Sequence, residues 1–207
     1  MKKITVFSGG IVLTATCLVL LQYGCNQAAQ PKAEADPAPK TLSHADLLDR
    51  GKYIVTTGLC NDCHSPKIIT PAGPVVDSTK LLSGHPAGSP LPPIDKKTFK
   101  PGYWILDGPD LTSFAGPWGI SFTANITSDS ATGIGAWRED EFISAMRTGK
   151  HLGQPGGRPI MPPMPWYYIA KYNDEDLKAM YTYLESLPPI NNKVPTPIPP
   201  DEAAKLK

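Results

Sequence analysis

The chain has 207 residues, with 20 Lys and Arg against 19 Asp and Glu, for a net charge of +1. Such a balance lacks the basic excess of a nucleic-acid binder, and the length suits one or two domains. Hydrophobic residues make up 41% and charged ones 19%, enough for a packed core, while 24 Pro and 18 Gly forecast irregular backbone between short helices.

Residues 1–24 have the pattern of an export signal. Lys2 and Lys3 form a basic start, and residues 11–21 (IVLTATCLVLL) make an apolar run of signal-peptide length, short for a membrane span. The run closes on Leu21-Gln-Tyr-Gly-Cys25, which resembles a bacterial lipoprotein cleavage box and implies a lipid on Cys25. Simple secretion and an uncleaved anchor are the alternatives. Residues 25–41 carry Ala, Pro, Gln and charge without apolar periodicity, so they are expected to be a flexible tether.

Three helices are expected in the rest. Over residues 44–57, Ser43 and Asp46 form a capping box, and Leu47, Leu48, Tyr53, Ile54 and Val55 supply an apolar stripe that Gly58 ends. Over residues 138–148, Glu139, Asp140 and Glu141 load the first turn, Phe142, Ile143 and Met146 face inward, and Gly149 closes. The third follows Asn173 as cap, with Leu177, Met180, Tyr181, Leu184 and Leu187 at helical spacing before Pro188-Pro189. No helix is expected between His64 and Trp137, where short strands around residues 103–106 and 120–124, or a wrapped ligand, must fix the backbone. The coarse picture is an all-α domain over residues 42–190 with a long irregular loop insertion, then a Pro-rich tail, residues 191–207, that wraps or dangles.

The chemistry resides in Cys60-Asn-Asp-Cys63-His64, a C-x-x-C-H motif. Two thiols one turn apart match the two vinyl groups of haem, and the adjacent imidazole matches the iron, so the motif calls for one covalent haem c. A redox dithiol would need a βαβ context, which is missing. A closed zinc site would need four N or S ligands, and neither His85 nor His151 sits at finger spacing.

At this point the sequence resembles the class I cytochromes c. Gly51 and Tyr53 match the Gly-x-aromatic of their first helix, which packs on a C-terminal helix, here residues 174–187; the likeness covers roughly residues 44–70 and 133–188. It implies a small helical fold around the haem. Segments Gly116-Pro-Trp-Gly119, Ala124-Asn-Ile-Thr127, Thr132-Gly-Ile-Gly-Ala-Trp-Arg138 and Glu141-Phe142 look like cytochrome subunits of membrane-bound bacterial dehydrogenases.

One motif binds one haem, leaving one axial position. The candidates are Met146, Met161, Met164, Met180, His85 and His151. Met146 and Met180 lie on apolar helix faces and are expected in the core. His85 and His151 are expected to be structural or solvated loop residues. Met161 and Met164 share a loop with four prolines between Gly157 and Trp166, stiff enough to hold a thioether in place. Met164-Pro-Trp-Tyr-Tyr resembles the Met-Pro-aromatic segment whose Met binds iron in those subunits, which implies Met164, with Met161 as a packing neighbour. The same likeness implies that the Pro74 carbonyl accepts the His64 Nδ1–H. Arg158 and Trp166 are candidates for the haem propionates, with an exposed Arg and a core Trp as the plain alternative. Asn125-Ile-Thr127 matches a glycosylation sequon, which is discounted for a bacterial lipoprotein.

His and Met on both faces close the iron to substrate and raise its potential, so the expected function is one-electron transfer without catalysis. The carrier would sit on the periplasmic side of a bacterial membrane, lipid-anchored or soluble, and serve a dehydrogenase or oxidase. A peroxidase or a redox or gas sensor with a displaceable distal ligand is the alternative. Lys96, Lys97 and Lys100 cluster where they could steer an acidic partner, although a solvated loop is the simpler expectation.

Overall fold

The computed structural model describes residues 41–206. Helix α1 (His44–Thr57) starts at the expected capping box: Ser43 Oγ accepts from Asp46 N–H, and the Asp46 carboxylate accepts from Ser43 N–H. The short helix α2 (Cys60–His64) follows after Leu59, whose left-handed backbone (φ 59°) turns the chain sharply. Strands β1 (Lys67–Thr70) and β2 (Gly73–Val76) then form a hairpin pairing Ile68 with Val75 and Ile69 with Pro74. Two 3-10 turns, Ser78–Lys80 and Lys96–Phe99, precede β3 (Leu106–Asp107), β4 (Ser113–Gly116) and β5 (Gly119–Phe122). These three make one antiparallel sheet in the order β3-β4-β5.

Helix α3 (Glu139–Thr148) ends at Gly149, α4 (Trp166–Ile169) is one turn, α5 (Asp174–Glu185) is capped by the Asn173 side chain, and α6 (Pro200–Ala203) lies near the C-terminus. The all-α expectation is therefore corrected: two small antiparallel sheets make the fold a mixture of helix and strand. The strands are two to four residues long, bounded by Gly and Pro, and too short for an alternating pattern to stand out in sequence.

The α1–α5 pair frames the larger core. Gly51 is buried at their crossing, where a Cβ would overlap the Ala179 carbonyl oxygen. Arg50 Nε bonds the Asp176 carboxylate across the pair at 2.8 Å. Tyr53, expected in the apolar stripe, is instead exposed, with the Arg50 guanidinium 5.9 Å from its ring centre. Ile54, Val55, Phe142, Leu177, Met180 and Leu184 fill the core between α1, α3 and α5. Ala115, Ile120 and Ala203 centre a second cluster on one face of the three-stranded sheet. Phe114 and Ser121, paired in register, look the other way, into a cavity shared with the helices.

The tail wraps. Ile198 pairs with Ile120 of β5, and Asn192 donates to the carbonyls of Ser83 (2.7 Å) and His85 (2.9 Å) while accepting from Ala87 N–H (2.8 Å). No helix among the described residues is long and apolar enough to cross a membrane.

Candidate functional site

Helix α2 carries Cys60, Cys63 and His64 onto the wall of one cavity of about 430 Å³. That volume lies in the range of about 300–1,000 Å³ common for small-molecule sites. The helix is braced from behind. Ser65 Oγ donates to Asn61 Oδ1 (2.9 Å) and accepts from Leu82 N–H (2.9 Å). Lys67 Nζ closes its C-terminal end by donating to the carbonyls of Asp62 and Ser65, the latter at 2.8 Å. Burial lowers the Lys67 pKa, opposed by the nearby Cys63, Asp62 and Asp110.

His64 is buried, and its Nδ1 lies 2.8 Å from the Ala124 carbonyl oxygen. A carbonyl can only accept, so Nδ1 carries the proton and Nε2 keeps its lone pair. Such a bond fixes the ring and raises its basicity as a metal ligand. Burial holds the His64 pKa below its ordinary value, which keeps the imidazole neutral. This corrects the role expected of Pro74: its β2 position is exposed, and Ala124, sixty residues beyond His64, supplies the acceptor instead.

The Ala124 backbone is positioned from both sides. Gly84 (φ 77°) donates its N–H to the His64 carbonyl at 2.7 Å, and a Cβ there would stand 2.5 Å from the Ala124 carbonyl carbon. The loop can enter this gap only because residue 84 lacks a side chain. Asn125 is buried and fully bonded: Oδ1 accepts from Thr127 N–H and hydroxyl, and Nδ2 donates to Thr132 Oγ1 and the Ile190 carbonyl. The Asn-Ile-Thr sequence is thus a buried polar knot, which also removes it as a glycosylation site.

The cavity suits a large, mostly apolar, thiol-linked group. Ile126, Ile134, Phe142, Ile160, Ile169 and Leu184 line it. Burial pushes the Cys60 thiol up to about 11 and raises Cys63 as well. Reactive redox dithiols need the opposite shift, so these cysteines do not resemble a dithiol centre. Among the described residues, no three His, Cys, Asp or Glu side chains converge as a metal cage.

Met161 and Met164 both stand on the cavity wall, as do the core residues Met146 and Met180. Arg158 is also there, as an exposed residue at the surface. Trp166 is not on the wall; its indole lies against Gly149. Trp137 takes the wall position, edge-on to the exposed His151 at 5.1 Å between ring centres. Burial and the neighbouring Arg158 lower the His151 pKa. His85 is buried behind the wall, bonded to Thr112 Oγ1 at 2.7 Å and packed on Phe122. Lys193, Val194, Pro195, Thr196 and Pro197 of the tail complete the enclosure, a role the composition of the tail does not announce. Cys25 lies outside the described residues.

Residues 48–188 match the family model for cytochrome c. Over 151 residues the chain is 38% identical to a subunit of the nicotinate dehydrogenase of Pseudomonas putida, covering 73% of this chain and 9% of that protein. It is 31% identical over 152 residues to the gluconate 2-dehydrogenase cytochrome c subunit of Pantoea cypripedii, covering 69% of this chain and 26% of that one. With the fructose dehydrogenase cytochrome subunit of Gluconobacter japonicus it shares 26% identity over 171 residues, 83% of this chain and 26% of the other. The chain thus spans about a quarter or less of the length of these relatives.

Proposed function

The chain belongs to the cytochrome c family, and on that premise we propose that it is a one-electron carrier holding a single haem c through thioethers to Cys60 and Cys63. His64 Nε2 and the Met164 thioether would be the two protein ligands of its iron. The observation that carries this reading is the opening of Cys60, Cys63 and a tautomer-fixed His64 onto one largely apolar cavity whose wall includes the Met161–Pro165 loop.

Haem c bound there supplies a one-electron couple, and the Met/His pair favours a raised potential. The residues of the chain do the rest. The Ala124 carbonyl accepts from the His64 ring and would hold this ligand in one orientation. Pro162, Pro163 and Pro165 restrict the Met164 loop. Both constraints keep reorganisation small. Arg158 and Lys193, two cations on the wall, would pair with the propionates, with His151 beside Arg158. Trp137, which stands on the wall where Trp166 does not, would be the indole beside the group.

The names of the relatives support a dehydrogenase as electron donor, and the N-terminal pattern supports attachment through a lipid on Cys25 at the periplasmic face of a bacterial membrane. The test is the mass and spectrum of the purified protein. One haem added to the polypeptide mass, with a low-spin Met–iron signature that resists CO, is expected. In Met164→Ala that signature is lost and CO binds. An unchanged spectrum in Met164→Ala with loss in Met161→Ala moves the ligand to Met161. Ready CO or cyanide binding by the unmutated protein refutes the carrier in favour of a peroxidase or sensor.

A further inference from the structure

The stretch from Asp95 to Asp107 divides its side chains sharply. Thr98 is fully buried, and Phe99 packs against the second core. Lys96, Lys97 and Lys100 remain exposed. The next large residues all face water: Tyr103 is 39% exposed, Trp104 75%, Ile105 55% and Leu106 37%. The loop is fixed in this outward form. Asp95 Oδ1 accepts from Lys97 N–H at 2.9 Å, and Asp95 Oδ2 accepts from the Tyr103 hydroxyl at 3.1 Å. Leu106 and Asp107 form the outer strand of the sheet.

We propose that this loop is a docking surface for an anionic lipid bilayer, with Trp104 and Ile105 entering the interface and Lys96, Lys97 and Lys100 meeting headgroup phosphates. Tyr and Trp favour the boundary between hydrocarbon and water because each has an apolar ring and a polar tip. The exposed Lys96, Lys97 and Lys100 outnumber the exposed carboxylates of the stretch, Asp95 and Asp107, and complement anionic headgroups, each lysine worth about fivefold in partitioning. The surface is independent of the haem reading, and it would act beside the N-terminal tether, orienting on the bilayer the domain that the tether holds near it.

The test uses the mature chain from Asn26, exported behind a heterologous signal that is cleaved before that residue, so that neither an acyl chain nor the apolar run of residues 11–21 contributes, and co-sedimentation with phosphatidylglycerol-containing vesicles and with pure phosphatidylcholine vesicles. Binding to the anionic vesicles that weakens with salt is expected. Lys96→Gln/Lys97→Gln/Lys100→Gln should weaken it about a hundredfold, and Trp104→Ser/Ile105→Ser should abolish it, both with unchanged circular dichroism. Ile68→Ser/Ile69→Ser, in the other exposed apolar hairpin, should leave it intact. No binding to anionic vesicles, equal binding to neutral ones, or loss only in the Ile68/Ile69 variant overturns the proposal. Variants at Trp104 that keep vesicle binding but lose electron uptake from a dehydrogenase would overturn it in favour of a protein partner.

Discussion

Gly51→Ala isolates the contact that sets the helix frame. Judged on helix propensity alone, the change should stabilise α1 by about 1 kcal/mol. The packing argues the opposite. A methyl at Gly51 would overlap the Ala179 carbonyl oxygen, approach its carbonyl carbon to 2.6 Å and meet Tyr183 Cβ at 2.7 Å. These are mostly backbone atoms of α5, which cannot rotate away, and α5 is held by the Asn173 cap and by buried Leu177, Met180 and Leu184. The helices must therefore separate, which also stretches the Arg50–Asp176 ion pair. Overpacking typically costs about 1–3 kcal/mol, and with the frame distorted a net loss of about 2 kcal/mol is expected. For a chain of this size that lowers Tm by roughly 4–8 °C. Urea unfolding of the haem-loaded protein, followed by far-ultraviolet circular dichroism, measures it. Because the clash is with the backbone at position 179, adding Ala179→Gly should not restore stability. An unchanged or raised midpoint in Gly51→Ala, or full rescue by Ala179→Gly, would refute the reasoning.

Two other changes probe the site. Lys67→Met removes a half-buried cation within electrostatic range of His64, which disfavours the added electron; at about 1 kcal/mol the midpoint potential should fall by about 40 mV, while Lys67→Arg keeps it. Potentiometry showing equal values for Met and Lys would remove Lys67 from any tuning role. Asn192→Ala strips the tail of its side-chain bonds to Ser83, His85 and Ala87, an expected loss of about 2 kcal/mol, with faster tryptic cleavage after Lys193; an unchanged cleavage rate would mean that the backbone bond from Asn192 N–H to Thr132 and the Ile120–Ile198 pairing suffice to hold the strap.

What the sequence discloses about this molecule is what the chain decides locally. Ser43 with Asp46, and Asn173, announce helix starts because a cap is settled within three residues. Cys60, Cys63 and His64 are legible for the same reason, since one short helix carries all three. The support of the ligand is different in kind. The acceptor for His64 lies sixty residues downstream, so the family likeness that implies Pro74 misleads. A signal for the true partner is nevertheless present in Ala124-Asn-Ile-Thr127. A polar pair, Asn125 and Thr127, beside short Gly-bounded strands has a physical purpose if Asn125 must tie Thr127, Thr132 and Ile190 together and so present the Ala124 carbonyl. The tail is the extreme case. Composition marks it as an irregular end, yet residues 193–197 enclose the cavity because Asn192 and Ile198 anchor the strap on either side. The attachment of a group is thus written in a few adjacent residues, whereas its insulation and potential depend on carbonyls, cations and straps that only folding brings together.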